Sequence, residues 1–145
     1  MKLIDANLLL YVHDSSSEHH RAALSWLTEQ LEADRPIGIP WLTISAFLRV
    51  TTHRNLRRPL SCKEAVGIVD SWLEHDHVSA ISPGTNFWVF FRQIVVESQV
   101  AGALVTDAKL AALALEYGAI VCTHDLDFLR FQRIQVEFPL RKGQS

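Results

Sequence analysis

Single carboxylates follow short apolar segments at three places along this chain. Asp5 ends the first apolar strand, Asp107 opens an Ala/Leu-rich helix, and Asp125 and Asp127 follow a β-branched strand. In an open parallel α/β sheet the strand ends converge on one edge, so we expect these side chains to meet there. Two carboxylates about 4 Å apart repel each other by roughly 4 kcal/mol at an effective dielectric constant near 20, which calls for a bound cation or a shared proton. The pattern therefore predicts a metal site.

Each carboxylate taken alone also has a purely structural interpretation. Asp107 suits the N-cap of the helix it opens, since aspartate accepts backbone hydrogen bonds there and complements the helix dipole. Asp125 or Asp127 is equally suited to cap a short helix that ends near Arg130. Asp5 fits the metal interpretation best because it stands directly at the end of a strand.

The bulk composition is that of one ordinary globular domain. The chain has 145 residues, of which 48% are hydrophobic and 21% are charged, and its net charge is −2. This balance argues against disorder. The total charge does not by itself indicate a nucleic-acid partner, but an acidic site and a basic groove would cancel in the sum. We expect a single domain that spans residues 1–145.

Neither the cysteines nor the apolar segments indicate a secreted or a membrane protein. Cys62 and Cys122 lie far apart and outside any C-x-x-C pair, which disfavours a disulfide framework or a structural zinc site. The strand that starts after Met1 leaves no room for a signal peptide, and the longest apolar runs fall short of the ~20 residues that a membrane helix needs. We expect a cytoplasmic protein with no membrane partner.

Helical periodicity alternates with short β-branched segments along the chain. Strands are predicted at 2–4, 37–39, 78–81, 119–122 and 134–138, and helices at 6–13, 17–33, 41–53, 62–74, 86–99, 107–117 and 125–130. Several boundaries rest on capping residues: Ser16 or Ser17, Ser61 with Glu64, and Thr85 at helix starts, and Gly118 at a helix end. The alternation predicts an α/β three-layer sandwich in which a short parallel β-sheet is flanked by helices on both faces.

Three segments carry a more specific signal: Leu3–Asn7, Leu104–Ala114 and Thr123–Phe128. In this order and at these spacings the chain resembles the PIN-domain ribonucleases over essentially its whole length. More narrowly, it resembles the VapC toxins of bacterial toxin–antitoxin pairs. The resemblance implies a PIN-like fold, endonucleolytic cleavage of RNA that depends on Mg²⁺ or Mn²⁺, and a cognate VapB-like antitoxin that blocks the site.

The resemblance also implies roles for individual residues. The acidic positions of the family fall on Asp5, Asp107 and Asp125, which would be the catalytic metal ligands, and a frequent extra carboxylate falls on Asp127. Asp5 and Asp107 would be the principal ligands, with Asp125 bound directly or through water. The small polar residues beside them, Asn7 and Thr123, match groups that orient a carboxylate or a water at the metal.

One acidic position of the family is missing. The family places a glutamate in the third helix, where this chain has Ala46. Three or four acids remain, and the sequence leaves open whether they hold one metal or two. Two functions therefore stay open: an active endoribonuclease, and a catalytically weakened PIN domain that serves as an antitoxin- or RNA-binding module.

Basic residues after the third helix are candidates for contact with RNA. Arg49, Arg54 and Arg57 lie where a helix end passes into a loop, a suitable place to bind phosphates, although cations at a helix end also complement its dipole. A neutral His124 is a candidate for proton transfer or RNA contact, with a solvent-facing loop residue as the alternative. The pair His19–His20 is expected at the surface without a metal.

The helix around Phe87–Val96 is apolar on more than one face. Packing on the sheet accounts for one stripe of these side chains. The surplus indicates a protein interface, either with a second copy of the chain in a homodimer or with a helix of the antitoxin.

Overall fold

A computed structural model describes residues 1–141; the last four residues of the predicted domain lie outside the described part. Its sheet has five strands, all parallel, in the order β3-β2-β1-β4-β5. The strands are β1 Lys2–Ile4, β2 Ile37–Pro40, β3 Val78–Ile81, β4 Ile120–Cys122 and β5 Gln135–Glu137. The predicted parallel sheet is confirmed.

In the described part of the chain, six α-helices cover the two faces of this sheet. They are α1 Ala6–Val12, α2 His20–Glu32, α3 Trp41–Thr51, α4 Cys62–Leu73, α5 Phe87–Ser98 and α6 Leu104–Tyr117, and a short 3₁₀ helix follows at Leu126–Arg130. Buried residues of α1 to α4 form one core, and those of α5 and α6 form the other. The predicted three-layer α/β sandwich is confirmed. Within residues 1–141, no helix has both the length and the apolar character needed to cross a bilayer.

Alternation along the strands explains why both faces are apolar. Leu3 packs into the core beneath α5 and α6, whereas Ile4 packs into the core beneath α1 to α4. Val121 and Cys122 divide in the same way, because successive side chains of a strand point to opposite faces. Strands of a sheet that is buried on both faces have continuous apolar sequences, and the strand sequences of this chain are of that kind.

The pairing of β1 with β4 brings two chain segments together at the carboxyl edge of the sheet. Ile4 lies opposite Cys122, and the backbone N–H of Asp5 donates to the carbonyl of Cys122 over 2.9 Å. Strands β2 and β3 lie on one side of this pair and β5 on the other, so the chain reverses its winding direction here. Ligands of open α/β sheets bind at such switch points.

Two predicted helix boundaries hold in detail. Ser61 and Glu64 form a capping box, in which the serine hydroxyl accepts from the Glu64 N–H over 3.1 Å and the glutamate accepts from the Ser61 N–H over 3.0 Å. Gly118 ends α6 with φ at 60°, a left-handed conformation that glycine adopts without steric cost.

Three predicted helix starts were wrong by one to three residues. Helix α2 begins at His20 instead of after Ser16 or Ser17, because the Ser17 hydroxyl accepts from the His19 N–H over 3.1 Å and so stabilises a turn. Helix α6 begins at Leu104, which puts Asp107 inside the first turn and not at the N-cap. The start of α5 depends on a contact with α6.

The start of α5 is held by a side chain from α6. Asn86, not Thr85, is the N-cap, and its side chain makes no capping bond. The carboxylate of Glu116 instead accepts from the N–H groups of Gly84 and Asn86, over 2.8 and 3.0 Å. A cap residue 30 positions away from Asn86 leaves no local signature in the sequence.

Candidate active site

Three aspartates meet at the carboxyl edge of the sheet. Asp107 comes from the first turn of α6, and Asp125 and Asp127 follow β4. Oxygen atoms of their carboxylates all lie within 4.8 Å of one another. Asp125 is also the N-cap of the 3₁₀ helix, where its side chain accepts from the Asp127 N–H over 2.8 Å. Asp125 is therefore both a helix cap and a member of the acidic cluster.

Asp5 lies beside this cluster with both of its oxygens already in hydrogen bonds. Oδ1 accepts from the Ala6 N–H over 2.8 Å, and Oδ2 accepts from the Thr123 hydroxyl over 2.7 Å. Asp5 is thereby the N-cap of α1. The group with oxygens within 4.8 Å does not include it, so the role of Asp5 as a metal ligand stays a prediction.

The buried hydroxyl of Thr123 connects the ends of β1 and β4. It donates to Asp5 and accepts from the Asn7 amide over 3.2 Å and from the Asp125 N–H over 3.0 Å. The Asn7 carbonyl in turn accepts from the His124 N–H over 3.3 Å. The structure thus places Asn7 and Thr123, the predicted orienting residues, in one hydrogen-bond network with two of the carboxylates.

Burial and neighbouring negative charges raise the pKa values of two of the acids, Asp107 and Asp5. Burial raises the pKa of Asp107 to about 6, and the charges of Asp125, Asp5 and Asp127 add to the increase. The pKa of Asp5 is also raised, mainly by burial, although its bonds from Thr123 and Ala6 oppose the shift. A carboxylate next to like charges is stabilised when a cation or a proton neutralises the group.

The donor set fits a hard divalent cation. Carboxylate oxygens are the ligands that Mg²⁺ and Mn²⁺ prefer, whereas zinc favours nitrogen and sulfur. Two oxygens bound to one Mg²⁺ lie roughly 3 to 4 Å apart, given metal–oxygen distances of about 2.0–2.1 Å. The cluster of Asp107, Asp125 and Asp127 is therefore already close to the spacing that one ion requires.

Comparison with protein families agrees with this geometry. The family model described as "PIN domain" matches residues 2–134. The chain belongs to the PIN-domain family. Among its relatives, Ribonuclease VapC37 of Mycobacterium tuberculosis is 34% identical over 96% of this chain and 97% of its own length. Ribonuclease VapC25 of the same species is 35% identical over 93% and 96%.

Solved structures share the fold of this PIN domain. The VapBC-1 structure from nontypeable Haemophilus influenzae superimposes with a TM-score of 0.71 at 14% identity, covering 97% of this chain and 98% of the other. DNA-bound VapBC from Salmonella typhimurium gives a TM-score of 0.64 at 18% identity, over 94% and 96%. At these identities the likeness concerns the fold alone.

Ala46 lies on a face of α3 that approaches the site. The hydroxyl of Thr43, one turn earlier, donates to the Ile4 carbonyl over 2.9 Å, directly before Asp5. Residues three apart share a helix face. Ala46 is half-buried, whereas its neighbour Phe47 is fully buried in the core. Position 46 of this PIN domain therefore lies outside the fully buried core stripe, on the face of α3 that carries Thr43. Its place beside the acids stays a prediction.

The predicted RNA-binding arginines lie at the surface. Arg49 is in the last turn of α3, and Arg54 and Arg57 follow in the next loop, all exposed. Sequence reasoning missed a different arginine, Arg130, whose charge acts on Asp107 and whose guanidinium lies 3.9 Å from the Asp127 carboxylate. Arg130 stands three residues after Asp127, about one turn of a 3₁₀ helix, which was a signal in the sequence. The denser group of basic residues after α3 drew the prediction there instead.

Three aromatic rings, which we call the ring cluster, lie beside the acids. Tyr11 and His19 have ring centroids 4.9 Å apart, His19 and His124 4.3 Å, and Tyr11 and His124 5.8 Å. Burial and the charges of Asp125 and Asp5 raise the pKa of the Tyr11 phenol, and burial lowers the pKa of His124. The expectations that His19 lies at the surface and that His124 faces solvent in a loop were too simple, because both are half-buried.

Thr123→Val tests the network around Asp5. Valine keeps the shape but removes the hydroxyl, so Asp5 loses a donor while Asn7 and the Asp125 N–H lose their acceptor. We expect the free energy of unfolding to fall by about 1–3 kcal/mol, measured by urea denaturation. Thr123→Ser is the matched control, since it keeps the hydroxyl. Equal losses in the two variants would show that the methyl group, and not the network, matters.

Proposed function

We propose that this protein is the toxin of a bacterial toxin–antitoxin pair, a cytoplasmic endoribonuclease that hydrolyses RNA phosphodiester bonds with Mg²⁺ or Mn²⁺ as cofactor. The cluster of Asp107, Asp125 and Asp127 at the sheet edge carries the proposal, since it concentrates oxygen donors where PIN domains are expected to act. Relatives that align over nearly the whole chain bear the name ribonuclease. Sequence and site chemistry support the same activity.

In the proposed site, Asp107, Asp125 and Asp127 would hold the ion, and Asp5, the further predicted ligand, would add its negative charge beside them. When bound, a divalent cation would polarise the attacking water and offset the charge that develops at the phosphate. Thr123 keeps the Asp5 carboxylate in place. Arg130 lies at the rim of the acids, where its guanidinium is suited to an RNA phosphate.

In this proposal the RNA and the protein partners also contact surfaces outside the acidic site. The exposed Arg49, Arg54 and Arg57 would contact the RNA backbone without reading its sequence. A VapB-like antitoxin would cover the acidic cleft or the exposed side of α5. On that helix Trp88 is 67% exposed and Val96 73%, an apolar surface that also suits a second copy of the chain in a homodimer.

Metal dependence of RNA cleavage tests the proposal. Purified protein incubated with cellular RNA is expected to cleave it in the presence of Mg²⁺ or Mn²⁺ and to stop when EDTA removes the ion, as gel electrophoresis of the RNA would show. Full activity in EDTA would contradict the assigned site. Binding of RNA or antitoxin without cleavage at any metal concentration would favour the alternative, a weakened PIN domain that acts as a binding module.

The raised pKa of Asp107 predicts how metal binding depends on pH. A cation must displace the proton of this group, whose pKa of about 6 exceeds the ordinary 3.8. The apparent affinity for Mn²⁺, measured by calorimetry, should be constant above about pH 7 and fall by about tenfold per pH unit below pH 6. An affinity that stays constant down to pH 4.5 would contradict this coupling.

The raised pKa of Asp107 also makes the stability of the metal-free protein depend on pH. This stability should decrease as the pH rises, whereas the affinity for metal should increase. A carboxyl group whose pKa is raised on folding favours the folded state while it is protonated. Its contribution is therefore fully present below about pH 4 and is lost as the pH rises to about 6. Asp107→Asn is the control, because the variant should lack this step in its denaturation profile.

A further inference from the structure

The ring cluster of Tyr11, His19 and His124 has no part in the proposed metal chemistry. Its members are 8 to 113 positions apart, yet their centroids lie between 4.3 and 5.8 Å from one another. All three residues are half-buried, so part of the cluster faces solvent. Three rings that keep an accessible surface beside a nuclease site call for a functional explanation.

The position of the cluster connects it to the site. His124 lies between Thr123 and Asp125, and its N–H donates to Asn7 in the network of the carboxylates. Tyr11 belongs to α1, the helix that Asp5 caps. A single strand of RNA whose phosphate lies at the acids would therefore bring an adjoining nucleotide next to these rings.

The charges around the cluster favour a base over a phosphate. The Glu18 carboxylate lies 3.4 Å from the His19 Nε2, and the charges of Asp125 and Asp5 act on Tyr11. Arg141 adds a positive charge near His124, so the acids outnumber the cation around the rings. These acids repel a phosphate, whereas a neutral nucleobase tolerates them. Bases of single-stranded RNA stack on tyrosine and histidine rings.

The hydrogen bonds of His124 are consistent with a role for the ring face. Its Nδ1 is buried without a hydrogen-bond partner among residues 1–141, so the imidazole is not held in place through this nitrogen. Within residues 1–141, its contacts with other aromatic rings are those with His19 and Tyr11. The packing of the rings against one another, more than a polar contact, defines this surface.

We propose that Tyr11, His19 and His124 form a stacking platform that binds one unpaired base of the RNA next to the cleaved phosphate. This inference rests on the proposed function for its biological role. In this proposal, the rings of Tyr11 and His19 position the substrate strand, whichever base it carries. Stacking is sequence-tolerant because every base has a π-face.

Binding of a short RNA without metal tests the platform separately from catalysis. The probe is a fluorescein-labelled 12-nucleotide oligouridylate, and its control is a ribose-phosphate strand of the same length without bases. Fluorescence anisotropy in EDTA at low salt gives both affinities while cleavage is off. Wild-type protein is expected to bind the oligouridylate more tightly than the abasic strand.

Paired substitutions identify the rings as the cause. Tyr11→Leu and His19→Leu remove an aromatic face while keeping apolar volume, and each should weaken oligouridylate binding roughly 5- to 150-fold, the range for one lost stacking contact. Tyr11→Phe and His19→Phe keep a ring and should remain within about twofold of wild type. Affinity for the abasic strand should be the same in all variants whose thermal melts show a folded protein.

Several results would overturn the platform. They are equal binding of the two strands by wild type, a loss that also affects the abasic strand, and Phe variants as weak as the Leu variants. If one tyrosine variant fails to fold, the histidine pair decides. Failure of the proposed nuclease is a distinct result, since RNA would then stay intact in Mg²⁺ while base-dependent binding in EDTA persists.

Discussion

Asp107→Asn is expected to lower the rate of RNA cleavage at least 100-fold, which corresponds to roughly 2.7 kcal/mol of transition-state stabilisation. Asparagine keeps the shape of the side chain but removes one negative charge from the cluster with Asp125 and Asp127. The metal-free protein should become more stable at pH 7, because the substitution removes the burial of a charge and its repulsion by the neighbouring acids, which together raise the pKa of Asp107. Single-turnover cleavage and urea denaturation measure the two effects.

Opposite changes in activity and stability distinguish a metal ligand from a structural residue. Asp70→Asn is the matched control, since Asp70 is exposed on α4 and its substitution should change neither quantity. A decrease in stability together with the loss of activity would assign Asp107 a structural role. A rate within tenfold of wild type would remove it from the site.

The same substitution at Asp5 should behave differently. The Asp5 carboxylate accepts from the Ala6 N–H and from the Thr123 hydroxyl, and an amide has one oxygen to do so. Activity should therefore fall without the gain in stability expected for Asp107→Asn, because the lost hydrogen bond from Thr123 offsets the benefit of removing a buried charge.

The alternation of strands and helices made the sheet predictable, and the sheet in turn made the site predictable. Once β1 and β4 are neighbours, Asp5 and Thr123 must lie side by side, because each follows a paired strand end directly. The clustering of Asp107 with Asp125 needs one further condition, that α6 starts at the same edge. Short-range patterns predicted the strands and helices, whereas the pairing of β1 with β4 is a long-range feature that the sequence analysis did not predict.

Long-range contacts were not predictable in the same way. The bonds from Gly84 and Asn86 to Glu116 shift the start of α5, and no cap residue near α5 announces them. The ring cluster depends on how α1 and the loop before α2 pack on the end of β4. A sequence shows which residues are aromatic or charged, but not which of them share a surface after folding.

The arginines illustrate this limit for the site itself. Arg54 and Arg57 attract attention because basic residues are dense in that loop, yet density along the chain does not show which charge faces the acids. Arg130 stands in a less basic segment, and the 3₁₀ helix turns it back toward Asp127. The short helix thus adds a candidate that charge density did not indicate, while Arg54 and Arg57 stay predictions.

Ala46→Glu should restore the acidic position that this PIN domain lacks and tighten Mn²⁺ binding. A carboxylate about 4 Å from a divalent cation gains roughly 2 kcal/mol even at the dielectric constant of water, or about 30-fold in affinity. The half-buried position of Ala46, one turn from Thr43, is compatible with that approach. Calorimetric titration with Mn²⁺ measures the change against wild type.

Thermal melts of Ala46→Glu with and without Mn²⁺ complete the test. Without metal the new charge stands near Asp5 and Asp107, so the variant should melt below wild type, and saturating Mn²⁺ should abolish the difference. Ser45→Glu is the matched control, because Ser45 is exposed on α3 and points about 100° away from position 46. A loss of stability that Mn²⁺ does not relieve would mean that the glutamate is buried without a partner, and Ala46 would then not stand in the place of the missing acid.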